Sequence, residues 1–182
     1  MSDSAHPNSA FVLETERLLL TRLTPDDAAF IFELVNEPSF IQNIGDRNVR
    51  SEDDAVRYIQ QGPMASYDQH GFGLYRVALK QTAVPIGICG PLKRETLEHP
   101  DIGFAFLPRF WRQGYALESA AAVMNYARNQ LHLTDIAAIT TPDNERSIKL
   151  LEKLCFRFQG TRRLSENEPP IKLFLSNPNE HE

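Results

Sequence analysis

The chain has 182 residues, 42% of them hydrophobic and 24% charged, with a formal net charge of −5 at pH 7. These values exclude a globally disordered chain, and a length of this order buries roughly 70% of its unfolded surface as one domain without a metal or disulfide. The acidic balance argues against a general nucleic-acid binder, which needs a basic face, but is compatible with a small anion in a local cationic pocket.

Residues 1–12 and 176–182 are polar and are expected to be disordered tails around a single domain spanning 13–175. The opening stretch lacks the apolar core of a signal peptide, and no run reaches the roughly 20 apolar residues of a membrane span. The expectation is a cytoplasmic protein, monomer or homodimer, with no nucleic-acid or membrane partner. Arg17 to Leu23 reads as a strand. Thr24-Pro25-Asp26-Asp27 then starts a helix: Thr as cap, Pro in the first turn, acids at the positive end of the dipole. Ala28, Ile31, Leu34 and Val35 form its apolar stripe, and Pro38 is expected to stop it. Ser51-Glu52-Asp53-Asp54 repeats the start signal, followed by Ala55, Tyr58 and Ile59 at helical spacing.

Phe72 to Leu79 and Pro85 to Leu92 read as a hairpin. Asp101 to Leu107 alternates, with Ile102, Phe104 and Phe106 on one face, and Pro108 ends it. Tyr115 to Gln130 is the clearest helix, its stripe running through Ala116, Ala120, Val123, Met124, Ala127 and Leu131. Ile136 to Thr140 is a strand. Asp143-Asn144 opens a helix with Ile148, Leu151 and Leu154 inward, and Ile171 to Leu175 is the last strand. The order predicts a mixed α/β domain with one large sheet. Cys89 and Cys155 lie in apolar runs and are expected to be small buried hydrophobes. The five histidines are scattered singly, which disfavours a metal site.

A helix between strands 101–107 and 136–140 implies a parallel pair with a right-handed crossover. The loop Arg109 to Ala116 then lies at the carboxyl end of a strand and at a helix N-terminus, where amides without helical partners favour an anion. Gly114 permits close approach, and Arg109 and Arg112 add charge. These features read together as an anion site, the expected anion being a pyrophosphate. No Walker loop, dinucleotide fingerprint, Gly-x-Ser-x-Gly or Cys-x-x-Cys is present.

At these residues the chain resembles the GNAT superfamily of acetyl-CoA-dependent N-acetyltransferases. Trp111-Arg112-Gln113-Gly114-Tyr115-Ala116 fits the second half of the family's Q/R-x-x-G-x-G/A motif. The resemblance is closest to the RimJ/RimL-like branch and extends to Leu13-Glu14-Thr15-Glu16-Arg17-Leu18, to Arg22 through Asp27, and to Asn144-Glu145-Arg146-Ser147 leading into Leu151 through Phe156. It implies a central splayed sheet flanked by helices. The pantetheine arm would pair with backbone around Phe104, Phe106 and Leu107. Amides of Arg112, Gln113, Gly114, Tyr115, Ala116 and Leu117 would hold the pyrophosphate of acetyl-CoA, and no metal is implied. Asn144 stands where the family's Asn bonds the pantetheine arm, although a plain helix cap also explains it.

The sequence departs from the family where many relatives carry a Tyr as proton donor to the leaving thiolate; here that position is Leu151. Ser147 stands where this branch has a serine proposed as donor; its alternative is a helix-surface or backbone-bonding serine. Asp101 heads the strand toward the acetyl group and is the candidate acceptor of the amine's proton, against an ordinary edge carboxylate. With no strong base in view, a weakly basic α-amine suits the chain better than a lysine amine. The expected activity is direct acetyl transfer to a primary amine, foremost a protein or peptide N-terminus. The alternatives are a small-molecule amine acetyltransferase and a non-catalytic acyl-CoA sensor.

Overall fold

Local chemistry starts each element of the computed structural model, which describes residues 10–176. Strands β1 (Phe11–Glu14) and β2 (Leu18–Arg22) come first. The Thr24 amide donates to Asp27 Oδ2 at 2.9 Å and opens a 3-10 turn, Pro25–Asp27, that runs into α1 (Ala28–Asn36). Pro38 ends α1 but is also the first residue of α2 (Pro38–Asn43), a position where its missing N–H costs nothing. Ser51 Oγ accepts from the Asp54 amide at 3.1 Å to cap α3 (Glu52–Ile59). A π-helical turn leads to α4 (Ala65–His70), which stops at left-handed Gly71.

Next come β3 (Tyr75–Leu79), β4 (Pro85–Leu92), β5 (Asp101–Phe106), α5 (Tyr115–Asn129), β6 (Ala137–Thr140), α6 (Glu145–Lys153), β7 (Phe156–Arg162) and β8 (Ile171–Ser176). They complete one eight-stranded sheet of order β1-β2-β3-β4-β5-β6-β8-β7. Every neighbouring pair is antiparallel except β5 and β6, which are parallel as the crossover through α5 requires.

The tail boundaries need correction: Phe11 and Val12 belong to β1, and Ser176 closes β8. The rest of both expected tails, 1–9 and 177–182, lies outside the described residues. Strand β7 escapes a sequence reading because most of its residues are exposed and no apolar alternation marks it. The first hairpin strand starts at Tyr75 rather than Phe72.

The two sheet faces carry different layers. On one, α5 buries Ala120, Val123, Met124 and Ala127 against Val77, Ile86, Ile102 and Phe106. On the other, Ile31, Leu34 and Val35 of α1 and Ala55 and Ile59 of α3 cover Ile88 and Leu107. The alternation of β5 therefore holds as read, with Ile102, Phe104 and Phe106 toward α5 and Ala105 and Leu107 toward α1 and α3. Tyr67 ties α4 to the strand ends: its hydroxyl accepts from the Leu23 amide at 3.0 Å and donates to the Leu74 carbonyl. Among the described residues no helix is long and apolar enough to cross a membrane.

Candidate functional site

Strands β5 and β6 share a single register pair, Asp101 with Ala137, and then part. The β4–β5 ladder, by contrast, runs from Leu92 opposite Asp101 to Gly87 opposite Phe106. The Leu107 amide donates to the Ile86 carbonyl at 2.9 Å. Hydrogen-bonding direction alternates along an antiparallel ladder, so the backbone groups of Phe104 and Phe106 point the other way, into the gap that β6 has left. The sheet is thus opened along one side of β5, and an extended ligand placed there finds the Phe104 amide and carbonyl and the Phe106 amide, the Phe106 carbonyl being taken by Trp111. Leu107 corrects the sequence expectation. Its amide goes to Ile86, its carbonyl accepts from the Phe110 amide, and its side chain is buried on the α1–α3 face.

The mouth of the gap is the turn into α5. The first intrahelical bond runs from the Glu118 amide to the Gly114 carbonyl, leaving Tyr115, Ala116 and Leu117 amides without a helical acceptor. Gly114 takes φ +83° and Arg112 φ +62°, so two left-handed residues bracket Gln113. That conformation costs a non-glycine residue about 1–2 kcal/mol and is characteristic of strained functional loops. Arg112, Gln113 and Gly114 are exposed. Orphan amides at the positive end of a helix of 15 residues suit an anionic diphosphate.

Arg17 holds this turn in place. Its Nη1 donates to the Gln113 carbonyl at 2.9 Å, its Nε to Glu118 Oε2 at 2.7 Å, and its guanidinium lies 4.5 Å from the Tyr115 ring centroid. Thr15 Oγ1 donates to Glu118 Oε1 at 2.6 Å. These bonds hold the Glu118 carboxyl below the usual carboxylate range against the opposing effect of its partial burial. The resemblance of the Thr15–Arg17 segment to the family thus has a physical basis in the support it gives the α5 N-terminus. Neither Arg17 nor Glu118 is a site candidate from sequence, because about 100 residues separate them and no periodicity links them.

Across the gap, Asn144 caps α6 by accepting from the Ser147 amide at 3.2 Å through Oδ1. Its side-chain NH2 remains as a donor, so the cap and a ligand contact are compatible. The Ser147 hydroxyl makes no hydrogen bond among the described residues, so the backbone-bonding alternative is not what is seen. Leu151, one turn on, is fully buried. Trp111 Nε1 donates to the Phe106 carbonyl at 2.8 Å, and Arg146 lies 3.7 Å from the Trp111 ring centroid. Burial and then the Arg112 charge lower the Arg146 pKa, so these two guanidiniums feel each other's charge. Arg109 is not one of them: it pairs with Glu33 of α1 at 2.5 Å.

Asp101 is neither an edge carboxylate nor open to solvent. It is 1% exposed, and both its oxygens accept from Arg94 Nε, at 3.0 and 3.1 Å. Burial raises its pKa while Arg94 pulls it down. Cys89 is buried as expected, and burial pushes its thiol up to about 12. Cys155 is exposed, contrary to expectation, because it takes the left-handed turn after α6 at φ +62° and its side chain leaves the core. Among the described residues no group of three His, Cys, Asp or Glu converges as a metal site.

Residues 17–157 match the family model described as an acetyltransferase (GNAT) domain. The chain is 30% identical over 154 residues to the uncharacterized N-acetyltransferase YoaA of Bacillus subtilis, covering 84% of this chain and 86% of that one. A crystal structure of an acetyltransferase from Agrobacterium tumefaciens superposes with a TM-score of 0.78 at 19% identity, covering 97% of this chain and 99% of that one. A RimL ribosomal alpha-N-protein acetyltransferase in complex with coenzyme A does so with a TM-score of 0.77 at 14% identity, covering 93% and 99%.

Proposed function

The chain belongs to the GNAT family of acetyltransferases and is an acetyl-CoA-dependent N-acetyltransferase, and we propose that its acceptor is the α-amine of a protein or peptide N-terminus. The parted strand pair supports the acetyl-CoA half of this reading, since the Phe104 and Phe106 backbone faces a gap whose mouth is lined by the orphan amides of α5; the α-amine half is supported by Asp101, the β5 carboxylate, being buried and ion-paired with Arg94.

In this reading acetyl-CoA supplies an activated thioester, and the chain supplies position and charge. The amides of residues 113–117 hold the pyrophosphate, with Arg112 and Arg146 adding charge, and the Asn144 NH2 bonds the pantetheine arm. The Phe106 amide stabilises the oxygen that becomes negative as the amine attacks. Ser147, one helical turn from Asn144, delivers a proton to the departing sulfur. Asp101, reached through water, is the carboxylate on β5 for the proton leaving the amine; burial raises its pKa and its ion pair with Arg94 works against that rise. An α-amine needs little help. At a pKa of about 7.7–8.0 roughly a quarter is neutral near pH 7.4, against about one part in a thousand for a lysine amine.

The test is thiol release from acetyl-CoA over a panel of peptides with free N-termini, the same peptides blocked at the N-terminus, and small amines, with product masses. Acetylation of the free peptides only is the expected result. Acetylation of small amines alone would establish the small-molecule reading, and CoA binding without thiol release would establish a sensor module.

A further inference from the structure

The sheet face opposite α5 carries a second polar cluster. Resting on the acetyltransferase reading, we propose that the acceptor bears a carboxylate within a few bonds of its amine, and that Arg94, Arg47 and Tyr58 recognise it. Asp101 has the same parity along β5 as Ala105 and Leu107 and so faces the α1–α3 layer, at the closed end of the gap. It engages Arg94 through Nε alone. The two terminal nitrogens of Arg94 carry no hydrogen bond among the described residues, and the side chain is 34% exposed.

Tyr58 of α3 packs on the same layer. Burial raises its phenol, and the charges of Arg47 and Arg94 both act against that rise, so both arginines lie on the Tyr58 side of this layer. Arg47 has no ion pair among the described residues, and its chain neighbour Asp46 is taken by Arg50. Two guanidiniums with free donors and one phenol, in a chain of net charge −5, form a receptor for a carboxylate. The same charges oppose a polycationic acceptor.

The cluster is within reach of the reacting amine. Asp101 and Phe104 are three strand residues apart, about 10 Å. An amine held beside Phe104 to Phe106 from the α1–α3 side would direct its substituents toward Arg94. Two acceptor types present this chemistry: a free amino acid through its own carboxylate, and a peptide with Asp or Glu in its first two positions.

The experiment uses the full chain and matched acceptors: peptides starting with Asp or Glu against Asn or Gln twins, and amino acids against their amides. Each pair is compared at equal concentration of neutral amine. The carboxylate member of at least one pair is expected to lead by roughly ten- to hundredfold in kcat/KM, and which pair does so identifies the source. Arg47→Gln and Tyr58→Phe should shrink that ratio, and Arg94→Lys, which keeps the charge facing Asp101 but loses the fork, should shrink it most. Equal kcat/KM within every pair, or a ratio that survives Arg47→Gln and Arg94→Lys, overturns the proposal. Spermidine in the same panel separates the two readings. Its acetylation alongside inert carboxylate acceptors overturns this proposal and leaves acetyl transfer intact, whereas calorimetry without CoA binding overturns both.

Discussion

The two faces of the β5 strand divide the work between backbone and side chains. On the α5 side, the features that suit a cofactor are main-chain ones: amides exposed by the parting of β6, orphan amides at the start of α5, and a turn with two left-handed residues. On the α1–α3 side, the features are guanidiniums from segments outside any helix or strand, a phenol from α3 and one buried carboxylate at the start of β5. A backbone cradle tolerates sequence change because every residue supplies the same amide. A side-chain receptor changes with each substitution. The first therefore suits a co-substrate common to a family, and the second suits the acceptor by which one member differs from another.

Substitutions can break this division, and the largest effect is expected at Ser147. If its hydroxyl protonates the departing sulfur, Ser147→Ala should lower kcat by roughly ten- to a thousandfold, with KM for acetyl-CoA little changed, the signature of a contact made mainly in the transition state. A wild-type rate in steady-state assays would make the serine structural and return the cofactor face to pure backbone chemistry.

Gly114→Val comes next. Its φ of +83° resists a β-branched residue, and an added Cβ would meet Arg17 Nη2 at 3.2 Å. CoA affinity measured by calorimetry should fall at least about tenfold, or about 1.4 kcal/mol, with the circular dichroism spectrum retained. Unchanged affinity would remove the α5 turn from the site.

A smaller loss tests how the cradle is supported. Arg17→Ala should weaken CoA about three- to tenfold while lowering stability by no more than about 1 kcal/mol, since the Arg17 side chain is itself exposed. A double-mutant cycle with Glu118→Gln should show that the two losses are not additive.

The smallest effect belongs to the cysteines. With direct transfer, the Cys89→Ala, Cys155→Ser double variant should keep turnover within a few-fold, and an acetylated cysteine found by mass spectrometry would contradict direct transfer. At pH 8 an alkylating reagent should modify Cys155 and spare Cys89, whose thiol is raised to about 12. The unfolded chain would release that proton from about pH 8.5. The stability that Cys89 contributes is therefore whole below that pH and is lost as pH rises toward 12.

Much of this is legible in the sequence alone. Caps at Thr24 and Ser51, the α5 stripe, the alternation of β5, and Gly114 at a helix start are local signals, set by neighbours a few residues apart, and they survive in the fold. The family motif is local as well, because a backbone cradle is built within one stretch of chain. Contacts between segments far apart in sequence were not legible. Nothing local shows that Arg109 is taken by Glu33, that Asp101 is sealed against Arg94, that Cys155 turns outward, or that Leu107 spends its backbone on Ile86 and Phe110. Periodicity and propensity act within a few residues along the chain and determine where elements form. Which charges meet, and which stay free to take a ligand, is decided only when the sheet brings distant strands together and the helices close over its two faces.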